Sequence, residues 1–262
     1  MIHVTSEVGR LRRVLLHEPG LEVDRMVPAM MDDLLFDDVL FGDRAREEHA
    51  LFRRVLQLLG VEVVEARDLL AATLAVPEAR EWLLRLVRDG LPPGLAERME
   101  AADVAELAGM LVAGVLRDPA SPEAGPAGSA AAGPRAEADP ESRTDELFHL
   151  APIPNWCFQR DPQVVLGDGV VYAAMAAPAR YREALLARAV FRFHPELGPA
   201  KVLHDPLQAS ADDPLFMRPH RPRLEGGDVL VMSPDVVAVG LSERTNPTAV
   251  MPLARALAES GD

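Results

Sequence analysis

Cysteine is all but absent: Cys157 is the only one in 262 residues. No intramolecular disulfide can form, so a reducing, cytoplasmic location is expected. Positive charge is also short, with 27 Lys and Arg against 41 Asp and Glu, a formal charge of -14. That balance disfavours nucleic acid and anionic lipid as partners, which need clustered cations, and favours a cationic small molecule. The N-terminus Met1-Ile2-His3-Val4-Thr5-Ser6-Glu7 has neither a basic lead nor an apolar signal core. The longest apolar stretch, around residues 107–116, falls far short of the ~20 residues that span a bilayer, so no membrane partner is expected. What is present is ordinary for a globular protein: 48% hydrophobic residues, enough for a sizeable core in one large or two modest domains.

Residues 12–17 read as a strand ending at Glu18-Pro19-Gly20. Leu51, Phe52, Val55, Leu56 and Leu59 mark a helix over 45–59, capped by Gly60, before a β-branched strand at 61–64. The first 70 residues thus predict strand, helix and strand of an α/β domain. A helical insertion is expected over 71–147, with one helix from Pro77 to Gly90 and another over 103–116 whose apolar face is core. Residues 118–143, rich in Ala, Gly, Pro, Ser and Glu, read as a flexible loop.

From 148 to 262 the chain repeats itself: a shift of 67 positions carries Asp161 onto Asp228, Asp168 onto Asp235, and Val170-Val171 onto Val237-Ala238. Each copy predicts strand, turn, strand and helix, with turns at Gly167-Asp168-Gly169 and Ser233-Pro234-Asp235 and helices after Pro178 and Asn246-Pro247. Each sets a carboxylate without a local partner at the mouth of its hairpin, Asp161 in one and Glu225 of Leu224-Glu225-Gly226-Gly227-Asp228 in the other. Each also places an arginine past its second strand, Arg180 and Arg244. Carboxylates bind a planar guanidinium through paired hydrogen bonds, and guanidinium side chains bind a carboxylate in the same geometry. A zwitterion such as arginine fits the set.

Asn155-Trp156-Cys157-Phe158-Gln159-Arg160-Asp161-Pro162 and Glu225-Gly226-Gly227-Asp228, with Ser6-Glu7-Val8-Gly9-Arg10 and Leu34-Leu35-Phe36-Asp37-Asp38-Val39 near the start, resemble the arginine deiminase branch of the guanidine-modifying enzymes. The resemblance covers nearly the whole chain. It implies a five-fold pseudosymmetric α/β propeller, incomplete here, with an α-helical insertion. It implies hydrolysis of L-arginine to L-citrulline and ammonia through a cysteine thiolate, with no metal or organic cofactor. Carried over residue by residue, Asp161 and Glu225 fall at the catalytic acids. Asn155, Arg180 and Arg244 fall where the amino acid's α-carboxylate and α-amino end is held, with Leu35 and Phe158 beside its side chain. Gln159, where the family commonly has Thr, receives no role.

In that family the nucleophilic cysteine and a His-Leu-Asp segment lie C-terminal to the second repeat, so the chain is expected to be an N-terminal portion, incomplete as a catalyst. Such a portion would expose an unpaired edge and self-associate. Cys157, between Trp156 and Phe158 in an expected buried strand, lacks the polar setting that makes a thiolate. His17 and His149, flanking turns, and His194 before Pro195 read as surface or capping residues. Asp32-Asp33 and Asp37-Asp38 lack the spacing of a metal loop. Arg160 with Asp161 alone could be a surface ion pair, and Asp228 is expected to bond amides of its own turn. Two other functions fit the same residues: a non-catalytic arginine-binding or regulatory protein, and a relative acting on another guanidine compound.

Overall fold

The computed structural model describes residues 2–88, 91–117, 144–207 and 221–260, and the loop expected at 118–143 lies outside them. The chain divides into two compact units, a helical unit of Arg12–Cys157 and a hairpin unit of Met1–Leu11 with Phe158–Asp262.

In the helical unit β1 (Arg13–Leu16) leads into the short helices α1 (Leu21–Asp24) and α2 (Met31–Leu34), then α3 (Gly42–Leu58). After α3 the chain returns as β2 (Glu62–Glu65), parallel to β1 with Arg13 opposite Glu62 and Leu16 opposite Glu65. The turn between them is built on Gly60, whose φ of 77° is costly for any side chain. There the Gly60 N–H donates to Gln57 O and that of Val61 to Leu56 O, each at 3.0 Å, closing the helix. Four helices follow: α4 (Ala66–Leu74), α5 (Pro77–Val87), α6 (Pro93–Ala101) and α7 (Val104–Ala113). Pro77 and Pro93 each open a helix, where the missing N–H is harmless. The Asp103 carboxylate caps α7 by accepting from the Glu106 N–H at 2.8 Å. Leu107, Leu111 and Val112 are fully buried, so the apolar face of α7 is core.

The expected helix over 103–116 is shorter than its apolar run. It stops at Ala113, because Gly114 turns to φ 70° and residues Val115–Leu116 become β3, antiparallel to β4 (Phe148–Leu150) behind the short helix α8 (Thr144–Leu147). The close approach explains the glycine: a Cβ on Gly114 would lie 2.3 Å from Leu150 O. Arg25 completes the end of α7, its Nη1 donating to Ala113 O at 2.6 Å and Gly114 O at 2.7 Å.

His17 corrects the surface expectation. It is 1% exposed at the end of β1, with Nε2 3.0 Å from Glu22 Oε1 and Nδ1 3.2 Å from Glu65 Oε1. Its ring lies 4.5 Å from that of Trp156. Burial alone would lower its pKa, but the hydrogen bonds and charges of Glu22 and Glu65 outweigh it and raise it. Both carboxyls are likewise held below their ordinary value by the same partner, against the opposing effect of burial.

The hairpin unit contains the repeat. Here β5 (Gln163–Leu166) and β6 (Gly169–Tyr172) form an antiparallel hairpin closed by Gly167-Asp168, with Gly167 at φ 54°. After α9 (Tyr181–Phe193), β7 (Lys201–His204) joins β6 in parallel. The second hairpin is β8 (Val229–Ser233) with β9 (Val236–Val239), followed by α10 (Pro247–Ser260). Adding 67 to the ends of β6 gives 236 and 239, the ends of β9, so the repeat is one of structure as well as sequence. Val164, Leu166, Val171, Val229, Val231, Ala249 and Leu253 of both copies share one core. The fold class is α/β; among the described residues the strands form sheets of two, two, three and two, and no sheet closes on itself. His194 caps α9 as expected, but buried, its Nδ1 accepting from the Glu196 N–H at 3.2 Å. None of the helices described is long and apolar enough to cross a membrane.

Candidate functional site

The two acid-bearing segments meet within the hairpin unit. The Gly226 N–H donates to Asp161 O at 3.0 Å, and Arg160 reaches across from the first segment to Gly226 O at 3.1 Å and Val229 O at 2.6 Å. Arg160 also donates to Glu7, at 3.2 Å through Nη1, so it ties three segments together and is no isolated surface pair with Asp161. This approach demands glycine: a Cβ on Gly226 would lie 2.0 Å from Arg160 O.

Asp161, Glu225, Arg180 and Arg244 converge as one ionic cluster, and the expectation of unpaired carboxylates is corrected. Arg180 Nη1 is 2.8 Å from Asp161 Oδ2 and 3.6 Å from Glu225 Oε2, while Arg244 Nη1 is 3.2 Å from the same Glu225 oxygen. Arg180 and Glu225 are buried and cannot be left without counter-charges, which the partly exposed Asp161 and the exposed Arg244 help to supply. Glu225 Oε1 accepts from the Ala176 N–H at 3.0 Å, and the Glu225 N–H donates to Thr245 Oγ1 at 3.2 Å. Phe158 packs against the cluster with its ring centroid 5.9 Å from Arg180 Cζ, a cation–π contact on a half-exposed ring.

Sequence reasoning missed Glu183. Its side chain is 0% exposed in the first turn of α9, and it takes the other side of the Arg180 guanidinium. Arg180 Nε donates to both its oxygens at 3.1 Å and Nη2 to Oε2 at 2.7 Å. Burial raises the Glu183 pKa, opposed by the charge of Arg180 and reinforced by those of Asp161 and Glu225. Arg180 is kept protonated in spite of burial by Glu183 and Asp161. The available signal was spacing: Arg180 and Glu183 stand at i and i+3.

Asp228 is structural by another route than expected. Its Oδ2 accepts from Ser242 Oγ at 2.7 Å, because the return of β9 brings residues 240–242 alongside it. The other two site residues belong to the helical unit. There Asn155 Nδ2 donates to Leu34 O at 2.6 Å, fastening the end of α2. Leu35 follows at φ 62°, a left-handed conformation that costs a leucine about 1–2 kcal/mol, with its side chain 41% exposed. Cys157 sits in a single 3-10 turn, Pro154–Cys157, rather than a strand, since Pro154 fixes a turn-forming φ; its Sγ is 3.6 Å from Pro154 O. No group of His, Cys, Asp and Glu among the described residues could hold a metal ion.

Fold and site together define an α/β protein that converges two acid-bearing hairpins on a guanidinium. The arginine deiminase family model matches residues 32–262, and the chain belongs to the arginine deiminase family. It is 35% identical to the arginine deiminase of Limosilactobacillus fermentum over 98% of this chain and 60% of that protein. It is 35% identical to that of Streptococcus pyogenes serotype M49 over 95% of this chain and 58% of that protein. The chain thus spans about 60% of the length of these relatives. A DDAH mutant from Pseudomonas aeruginosa solved with citrulline superposes with a TM-score of 0.44 at 16% identity, over 96% of this chain and 58% of its own.

Proposed function

We propose that this chain carries the guanidinium-binding part of an arginine deiminase, which hydrolyses L-arginine to L-citrulline and ammonia. The observation that carries the proposal is a guanidinium already lodged between the two acids: Arg180 Nη1 lies 2.8 Å from Asp161 Oδ2 and 3.6 Å from Glu225 Oε2. Carboxylates that converge on an internal guanidinium have the spacing to take that of a ligand.

Asp161 and Glu225 would then hold the substrate's guanidinium still and aim its carbon at a cysteine thiolate. Thiolate attack on the guanidinium carbon expels ammonia and leaves an S-alkylisothiourea, whose hydrolysis by water releases citrulline and returns the thiol. Arg180 and Arg244 would take the α-carboxylate and α-amino end, with Phe158 flanking the aliphatic stem. The chemistry calls for no metal or organic cofactor, and L-arginine is the partner it requires. The repeated hairpin and helix would be blades of a five-fold α/β propeller, in a cytoplasmic protein.

A second function, arginine binding without turnover, is favoured by one observation: Cys157 Sγ is directed at Pro154 O within the helical unit. Incubation with L-arginine, with citrulline and ammonia measured together, separates the two. Equal release of both products, lost in Asp161→Ala, supports the deiminase. Arginine binding without product supports the second function, and turnover unchanged in Asp161→Ala refutes the site.

A further inference from the structure

We propose that Glu183 is the positioning residue of this site, anchoring Arg180 so that Nη1 faces Asp161 and Glu225, and supplying the charge that leaves those two carboxylates able to accept a cation. This deepens the deiminase proposal and rests on its site.

The geometry divides the Arg180 guanidinium between two jobs. Nε and Nη2 bind Glu183 in a forked pairing at 2.7 to 3.1 Å, and Nη1 turns to Asp161 at 2.8 Å. A fork of this kind fixes the plane of the guanidinium as well as its place. Arg180 is 2% exposed and Glu183 fully buried, so water cannot substitute for either.

Removing the Glu183 charge has a defined consequence. Arg180, still buried and still charged, must be neutralised by Asp161 and Glu225. Those are the carboxylates the ligand's guanidinium needs, so an internal cation would compete with the external one. The position of Glu183 makes the competition avoidable: it lies in the same first turn of α9 that follows Arg180, three residues on, and moves with it.

The test is calorimetric titration of the 262-residue chain with L-arginine and with L-citrulline, its isostere with an uncharged side chain, for wild type, Glu183→Gln and Asp161→Ala. Glu183→Gln keeps the shape and removes the charge. It is expected to weaken arginine binding ~10-fold or more while moving citrulline binding far less, because only the cation competes with Arg180. Equal weakening of both ligands would mean a merely structural role and overturn the proposal. Full arginine affinity in Glu183→Gln, with binding lost in Asp161→Ala, would overturn it while leaving the site intact. Absence of arginine binding by the wild-type chain would overturn site and proposal together. If Glu183→Gln does not fold, Glu183→Asp retains the charge but is one methylene too short for the fork. Arginine-selective weakening in that variant supports the proposal, and unselective or absent weakening refutes it.

Discussion

Replacing Gly226 with alanine should separate the two acid-bearing segments. The new Cβ would fall 2.0 Å from Arg160 O, 3.0 Å from Arg160 C and 3.3 Å from Gln163 O, all backbone atoms that no rotamer change can move. Ordinary carbon contacts begin near ~3.5 Å, so the segments must part by about 1.5 Å. Overpacking of that kind costs about 1–3 kcal/mol. The Gly226 to Asp161 bond is worth roughly 1 kcal/mol more, and the Arg160 contact with Gly226 O stretches with it. A loss of about 2–4 kcal/mol follows, a drop of roughly 5–15 °C in thermal midpoint followed by circular dichroism. Gly227→Ala is the control. Its Cβ would meet Asp161 Oδ1 at 2.7 Å, the tip of a side chain that can rotate. It should therefore lose under ~1 kcal/mol of stability, yet bind arginine more weakly because the carboxylate is displaced. Gly226→Ala melting with the wild type would refute the close approach from which the site is built.

Two further outcomes follow from the helical unit. His17 titrates above its ordinary 6.5, so its contribution is complete below that value and is lost as pH rises through the folded pKa; Glu22 and Glu65 titrate below 4.5, so theirs is complete above that value and lost as pH falls. On these groups stability peaks between pH 4.5 and 6.5, and His17→Gln should flatten the alkaline decline in midpoint; an unchanged decline would assign it elsewhere. Gly114→Ala should cost about 3 kcal/mol or more in urea unfolding, since strain at φ 70° adds to a 2.3 Å contact with Leu150 O, and an unshifted midpoint would contradict that packing.

How legible each feature was depended on how local its cause is. The hairpins were readable because Gly167-Asp168 and Ser233-Pro234-Asp235 interrupt β-branched runs at equal spacing, and turn chemistry acts within a few residues. The pairing of the Asp161 and Glu225 segments was legible through the 67-residue repeat, which carries Asp161 onto Asp228 close to Glu225, and the Arg160 tie that joins the segments was not. The end of α7 was misplaced by three residues because Gly114 answers to Leu150, far along the chain. His17 was read as exposed for a like reason: its burial depends on Glu65, whose side chain arrives only when β2 pairs with β1. Arg180 and Arg244 were found as cations of the site, but their present partners are the site's own carboxylates, a charge balance visible only once the residues are assembled.

The proposed seat for a guanidinium lies between Asp161 and Glu225. Its most direct test is calorimetric titration of L-arginine into the chain and into Asp161→Ala and Glu225→Ala, with folding verified by circular dichroism. Saturable binding by the wild type, lost in both folded variants, is the predicted result. Undiminished arginine binding in either folded variant would contradict it.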